Sequence, residues 1–243
     1  MNKLYLDDCR KKLYELLHDQ IKVDHVVVDL PYYKVVKDEF DNQWENEEEY
    51  LDWVMRMFSL ISQGLLKPNG NVIVFCSRQM QHDINYIFKK LGYINQRTII
   101  WARKRGFNTT RGKTLASGYE PIMWFTKCNI KNPIFNNIKI KPETKRKEYT
   151  EGILKDGITL SDVWMDIPAL PHNSKEKVDH PTQKPIKLME RIISVFTEEQ
   201  DTILDFCMGS GTTGLACKTL NRNFIGIEKD ENYFNIAKNR INE

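Results

Sequence analysis

Two stretches of this chain carry side chains whose types and spacing could do chemistry. The first is Asp205-Phe206-Cys207-Met208-Gly209-Ser210-Gly211-Thr212-Thr213-Gly214. It follows the short apolar run Thr202-Ile203-Leu204 and precedes a helical pattern through Leu215, Ala216 and Leu220, which reads as strand, glycine turn, helix. Glycines two residues apart let the backbone approach a ligand closely, and the helix start beyond them offers unpaired N–H groups. The second stretch is Asp29-Leu30-Pro31-Tyr32, which ends the β-branched run His25-Val26-Val27-Val28. Pro31 cannot continue a ladder and pushes Leu30 towards an extended conformation. An acid and an aromatic are therefore held at a strand end.

Two cofactor readings fit the glycine stretch. Gly209 to Gly214 spells GxGxxG, and Glu228 ends the next apolar run, Phe224 to Ile227, as in a dinucleotide fold and its nicotinamide oxidoreductases. Asp205 points the other way, because a pyrophosphate at this turn would meet like charge. S-adenosylmethionine carries a sulfonium and an ammonium and has no phosphate, so a carboxylate favours it. Glu228 could accept from ribose hydroxyls under either reading.

The elements that must position these residues alternate. Leu4 to Leu6 predicts a short strand and Arg10 to Leu17 a helix; strands follow at Val26 to Asp29 and Val72 to Cys76, with helices over Glu47 to Gln63 and Gln79 to Leu91, the latter closed by Gly92. This βα order implies an α/β, doubly wound, mostly parallel sheet. Residues 33–46 are polar with Tyr33, Phe40 and Trp44 interspersed and predict a loop beside the Asp29 strand end. Thr98 to Trp101 and Ile122 to Phe125 read as a hairpin with a basic, glycine-containing tip, and residues 127–179, which lack sustained periodicity, as an insertion outside the sheet. His180-Pro181-Thr182-Gln183-Lys184-Pro185 forms a turn, with Pro185 starting a helix through Leu188, Ile192, Ile193 and Phe196. Tyr233 to Ile241 predicts the last helix.

With 243 residues, one domain with an insertion is expected. The net charge is only +3, yet residues 97–147 hold 13 Lys and Arg against Glu120 and Glu143, whereas residues 1–60 hold 8 basic and 14 acidic side chains. Such asymmetry suggests a basic face for a polyanion, since Lys and Arg gain affinity by releasing phosphate counterions. Five cysteines without a CxxC pair indicate neither a disulfide framework nor a zinc site, and no metal is expected. With no signal-like or membrane-spanning apolar run, a soluble cytoplasmic protein without a membrane partner is the expectation.

Asp29-Leu30-Pro31-Tyr32 resembles the catalytic tetrapeptide of the DNA amino-methyltransferases, which methylate adenine N6 or cytosine N4. Asp205 to Thr212 is similar to that family's cofactor signature, and His180 to Pro185 to the motif that precedes it. A catalytic motif that comes before the cofactor motif resembles the circularly permuted beta group. That resemblance implies a Rossmann-like S-adenosylmethionine-dependent methyltransferase sheet with a terminal antiparallel hairpin. Its parts would be a catalytic half over residues 1–126, a target-recognition insertion over 127–179 and a cofactor-binding half over 180–243. Strands 202–205, 224–228, 4–6 and 26–29 would be its first to fourth, which places Asp29 and Asp205, 176 positions apart, at adjacent strand ends.

The resemblance also implies roles. The Asp29 carboxylate and the Leu30 carbonyl would accept from the target amino group, Pro31 would stiffen the turn, and Tyr32 would stack on a base flipped from the duplex. Leu30 departs from the family's usual proline. The leading aspartate leans towards adenine, with cytosine N4 as the alternative. Asp8, Cys9, Lys184, Asp205, Phe206, Gly209, Ser210, Gly211, Thr212 and Glu228 would serve the cofactor, although Asp8 equally fits a helix cap, Phe206 the core and Lys184 a solvated side chain. Arg103, Lys104, Arg105, Arg111, Lys113, Lys145, Arg146 and Lys147 would contact double-stranded DNA. A cognate restriction endonuclease and a homodimer are the expected protein partners. A non-catalytic DNA-binding module, a nicotinamide oxidoreductase and an RNA or protein methylase are the rival functions.

Overall fold

The computed structural model describes residues 2–107, 115–140, 157–171 and 173–242, with side chains at 104–107 excepted. Its frame is an eight-stranded sheet. In chain order the strands are β1 (Asn2–Leu6), β2 (His25–Asp29), β3 (Val72–Phe75), β4 (Tyr93–Phe107), β5 (Ser117–Lys127), β8 (Val163–Trp164), β9 (Thr202–Asp205) and β10 (Asn223–Glu228), and their spatial order is β1-β10-β9-β2-β3-β5-β4-β8. The pairs from β1 to β3 are parallel, and β5 lies antiparallel to both β3 and β4. β6 (Lys139–Ile140) and β7 (Ile158–Thr159) pair separately. The predicted mostly parallel sheet with an antiparallel hairpin is the observed one.

Helices cover both faces. α1 (Cys9–His18), α3 (Glu47–Leu60) and α4 (Gln81–Lys90) pack Leu13, Val54, Phe58 and Phe88 onto one, while a short α2 (Glu39–Asn42) sets Phe40 against His180 and Tyr233. α5 (Ile186–Phe196), α6 (Thr212–Thr219) and α7 (Glu231–Asn242) pack Leu188, Ile192, Cys217 and Ile241 onto the other. Between them β2 alternates, Val26 and Val28 facing the first layer and Val27 the second, all fully buried. An apolar run without polar alternation is what a strand covered on both sides requires. Asn46 caps α3 by accepting from Glu49 N at 2.9 Å.

Two expectations change. β4 and β5 are much longer than the segments 98–101 and 122–125, because register shifts between Asn95 and Arg97 and between Ala102 and Phe107 let the pairing continue past irregular stretches. Residues 127–179 do not lie wholly outside the sheet: β8 adds to β4, and Trp164 and Ile167 are buried against it, Trp101 Nε1 donating to Ile167 O at 2.8 Å. Residues 33–46 form the expected loop, mostly exposed and interrupted by α2, with Asp41 and Trp44 buried. Among the described residues no helix is long and apolar enough to cross a membrane, and no group of three or more His, Cys, Asp or Glu could hold a metal ion.

Candidate active site and cofactor cleft

β2 and β9 are parallel neighbours with His25 opposite Ile203 and Val26 opposite Leu204. Asp29 and Asp205 therefore finish adjacent strands at their carboxyl ends, where open α/β sheets bind ligands. Both line one cavity of about 980 Å³, which also takes in Asp8, Tyr32, Glu120, Lys184, Gly209 and Glu228. Its volume suits a cofactor together with part of a second ligand.

On the glycine side the turn is built by backbone conformation. Gly209 and Gly211 have φ of +50° and +76°, and Gly211 N donates to Met208 O at 2.8 Å. A Cβ on Gly211 would sit 2.8 Å from Ala237 Cβ, and one on Gly209 2.8 Å from His180 Nε2. Gly211 thus serves the packing of α7 as well as the turn. Arg240 from α7 donates to Ser210 O at 2.6 Å and to Thr212 Oγ1 at 3.2 Å, which braces the turn from behind.

Asp205 is 2 % exposed and accepts from Thr213 Oγ1 at 2.7 Å and from Cys207 N at 3.1 Å. Burial, opposed by these two donors, pushes its carboxyl up to about 7. Glu228 accepts from the backbone N–H groups of Gly209, Lys229 and Asp230, each at 2.9 Å, and burial raises it too. A cation beside these two carboxyls would favour their ionised forms, whereas a phosphate would meet like charge, so the place suits a cation rather than a phosphate.

The Asp29 side is a network of charges. Lys184, only 6 % exposed, donates to Asp29 Oδ2 at 2.5 Å and lies 3.5 Å from Glu120 Oε2. Tyr32 donates its hydroxyl to Glu120 Oε2 at 3.1 Å, and Arg103 approaches Glu120 Oε1 at 3.1 Å. Burial raises the Asp29 carboxyl, with the Lys184 ammonium pulling against it. Burial also works against the Lys184 charge, but Asp29 and Glu120 together raise its pKa above the ordinary value. Asp29 Oδ1 is buried without a hydrogen-bond partner. It is an acceptor with its capacity unused.

The turn is rigid without a proline at position 30. Leu30 is 2 % exposed and its N–H donates to Phe75 O at 3.2 Å. Tyr50 donates its hydroxyl to Pro31 O at 2.9 Å, and Tyr32 N donates to Asp41 Oδ1 at 2.6 Å. Tyr50 is itself held by Trp44 at a ring separation of 4.9 Å.

The remaining expected residues fall in different places. Asp8 caps α1, accepting from Arg10 N at 2.8 Å and from the Arg10 guanidinium, while it also lines the cavity. Cys9 lies against Met57, its Sγ 3.8 Å from Sδ. Phe206 packs edge-on to Phe58 and Trp53, inside the core. Lys184 is not a solvated side chain. Arg103 is 11 % exposed, turned inward to Glu120 and Ser117 rather than outward to a phosphate. The side chains of Lys104 and Arg105, and residues Arg111, Lys113, Lys145, Arg146 and Lys147, lie outside the described residues. Sequence reasoning missed Glu120, Asp41 and Arg240 as site residues. Only Glu120 left a signal, one of two acids in a run of 13 cations.

Comparison with known proteins gives the family. Residues 23–239 match the family model described as DNA methylase, of the N6 and N4 methyltransferases. The type II methyltransferase M.BglII of Bacillus subtilis is 31 % identical over 253 residues, covering 98 % of this chain and 68 % of that protein. The structure of the M1.HpyAVI–SAM complex superposes with a TM-score of 0.71 at 30 % identity, covering the whole of both chains. PvuII DNA methyltransferase, cytosine-N4-specific, reaches a TM-score of 0.73 at 20 % identity over 98 % of this chain, a likeness of fold alone. These relatives replace the nicotinamide reading of the glycines with S-adenosylmethionine as the cofactor, and DNA is the partner. The chain belongs to the DNA methylase family, the N6-adenine and N4-cytosine methyltransferases that use S-adenosylmethionine.

Proposed function

We propose that this protein methylates the N6 amino group of adenine at a specific site in double-stranded DNA, in the cytoplasm, with the catalytic half preceding the cofactor half as in the permuted beta group. The observation that carries the reading is Asp29 Oδ1, a buried carboxylate oxygen without a partner, in the same cavity as the acid-lined glycine turn. The residues fit the cofactor: Asp205 supplies negative potential for a cation, Glu228 can accept from ribose hydroxyls, and Gly209 and Gly211 shape the turn against which it lies. When bound, S-adenosylmethionine supplies a methyl group on a positively charged sulfur.

The chain's own residues prepare the nucleophile. An exocyclic amine conjugated into a base ring is weak until its lone pair is freed. Asp29 Oδ1, accepting one N–H and joined by the Leu30 carbonyl, favours the pyramidal amine. The Lys184 ammonium favours the ionised form of Asp29 against its burial, and Tyr32 presents a ring for the base once it leaves the stack. Asp8 and Cys9 complete the cofactor end, and the basic stretches 104–113 and 145–147 meet the phosphates. A cognate restriction endonuclease is the proposed protein partner, supported by the type II names of the relatives. A homodimer is proposed with it and is checked by sedimentation equilibrium.

The aspartate that leads the tetrapeptide supports adenine over cytosine. Digestion of methylated DNA to nucleosides tests this by mass spectrometry. N6-methyladenine is expected, and N4-methylcytosine as the sole product would overturn the adenine assignment.

A further inference from the structure

Glu120 has no role in the reaction as derived so far, yet it contacts three different elements of the site. It stands on β5, lines the cavity and is half-buried. Its Oε2 accepts from the Tyr32 hydroxyl at 3.1 Å and lies 3.5 Å from Lys184 Nζ, while Oε1 faces Arg103 at 3.1 Å. Lys184 is thus shared between two carboxylates, Asp29 at 2.5 Å and Glu120. The Lys184 ammonium also sits 5.0 Å from the centre of the Tyr32 ring. We infer that Glu120 is a positioning residue for methyl transfer: it fixes the Tyr32 ring and draws on Lys184, so that Asp29 Oδ1 is left to the target amino group. This rests on the reading of Asp29 as that group's acceptor.

Geometry and charge both support the assignment. The hydroxyl bond fixes the direction of the Tyr32 ring, and it reaches across 88 residues to the hairpin strand that flanks the cavity. The groups that face Glu120 are Tyr32 and Asp29 from the β2 turn, Lys184 from the segment before α5, Arg103 from β4 and Cys76 at the end of β3. Two acids and two bases, Asp29 and Glu120 with Lys184 and Arg103, balance. Removing the Glu120 charge leaves Lys184 wholly to Asp29 and eases the ionisation of Asp29, because the like charge beside it is gone.

Steady-state turnover on DNA, S-adenosylmethionine binding by calorimetry and thermal melting are measured for the wild type, Glu120→Ala and Glu120→Gln. Glu120→Ala should lower turnover at saturating substrates on the order of ten- to a hundredfold, with cofactor affinity within about twofold of wild type. Glu120→Gln keeps a partner for Tyr32, so it should lose less, and the acid limb of its turnover profile should move to lower pH. Wild-type turnover in both variants, or losses in Glu120→Gln with the acid limb unmoved, would overturn the inference. So would a loss that follows cofactor affinity or melting temperature alone. A wild-type protein that binds S-adenosylmethionine but transfers no methyl to DNA would instead refute the underlying functional reading.

Discussion

Replacing Asp205 by asparagine separates what this residue costs the fold from what it does for the cofactor. In the folded chain the carboxyl is pushed from 3.8 up to about 7 by burial. The unfolded chain therefore releases its proton first as pH rises. Stability falls between about pH 4 and pH 7 and stays low above that, by roughly 4 kcal/mol at about 1.4 kcal/mol per pH unit. Asparagine is neutral throughout. Its oxygen can still accept from Cys207 N, and its amide can donate to the Thr213 hydroxyl, which turns to receive it. Allowing about 1 kcal/mol for imperfect bonds, Asp205→Asn should be more stable than wild type by about 2–4 kcal/mol at pH 8. For a chain of this size that raises the melting temperature on the order of 5–10 °C, a gain that disappears near pH 4. Calorimetry at pH 8 should show S-adenosylmethionine affinity reduced about tenfold or more, because the carboxylate facing the cation is gone. A variant that is less stable than wild type at pH 8, or that binds the cofactor equally well, would refute the electrostatic reasoning.

Other perturbations follow from the same site. In the wild type, cofactor affinity should weaken as pH falls through about 7, since protonated Asp205 no longer attracts the cation; a flat binding profile from pH 5.5 to 8.5 contradicts this. Gly211→Ala puts a Cβ 2.8 Å from Ala237 at a φ of +76°, so it should cost about 1–3 kcal/mol by denaturant titration. An unchanged midpoint would mean that α7 moves freely. Tyr50→Phe removes the donor to Pro31 O and nothing else polar; it should destabilise by about 1 kcal/mol and reduce turnover while sparing cofactor affinity, as kinetics and calorimetry would show.

What could be read in the sequence was whatever a long apolar run or a stiff turn writes locally. The β-branched residues of β2 and the apolar start of β9 marked two buried strands, and the family resemblance implied that they lie side by side, as they do in the sheet. Contacts between distant elements left weaker traces. Trp164 joins β4 through a strand of two residues, too short for any period to show. Gly211 was legible as a turn glycine, but the close approach of Ala237, which makes a side chain there untenable, depends on how α7 packs. Phe206 sits beside the cofactor signature yet faces Phe58, a choice that the strand end's orientation makes and its type does not. Leu30 departs from the family's usual proline, and its burial, the Tyr50 bond and Asp41 supply the rigidity a proline would have. Lys184 and Glu120 show the same limit, for charges gathered from three parts of the chain have no local pattern.

The division of labour between two carboxylates at adjacent strand ends is tested most directly in Asp29→Ala. Transfer of labelled methyl from S-adenosylmethionine to DNA is followed in a single turnover, alongside cofactor binding by calorimetry. With Asp29 proposed to face the target base and Asp205 the cofactor, transfer should vanish while affinity stays within about threefold of wild type. Full transfer by Asp29→Ala, or a loss of transfer fully accounted for by lost cofactor binding, would contradict it.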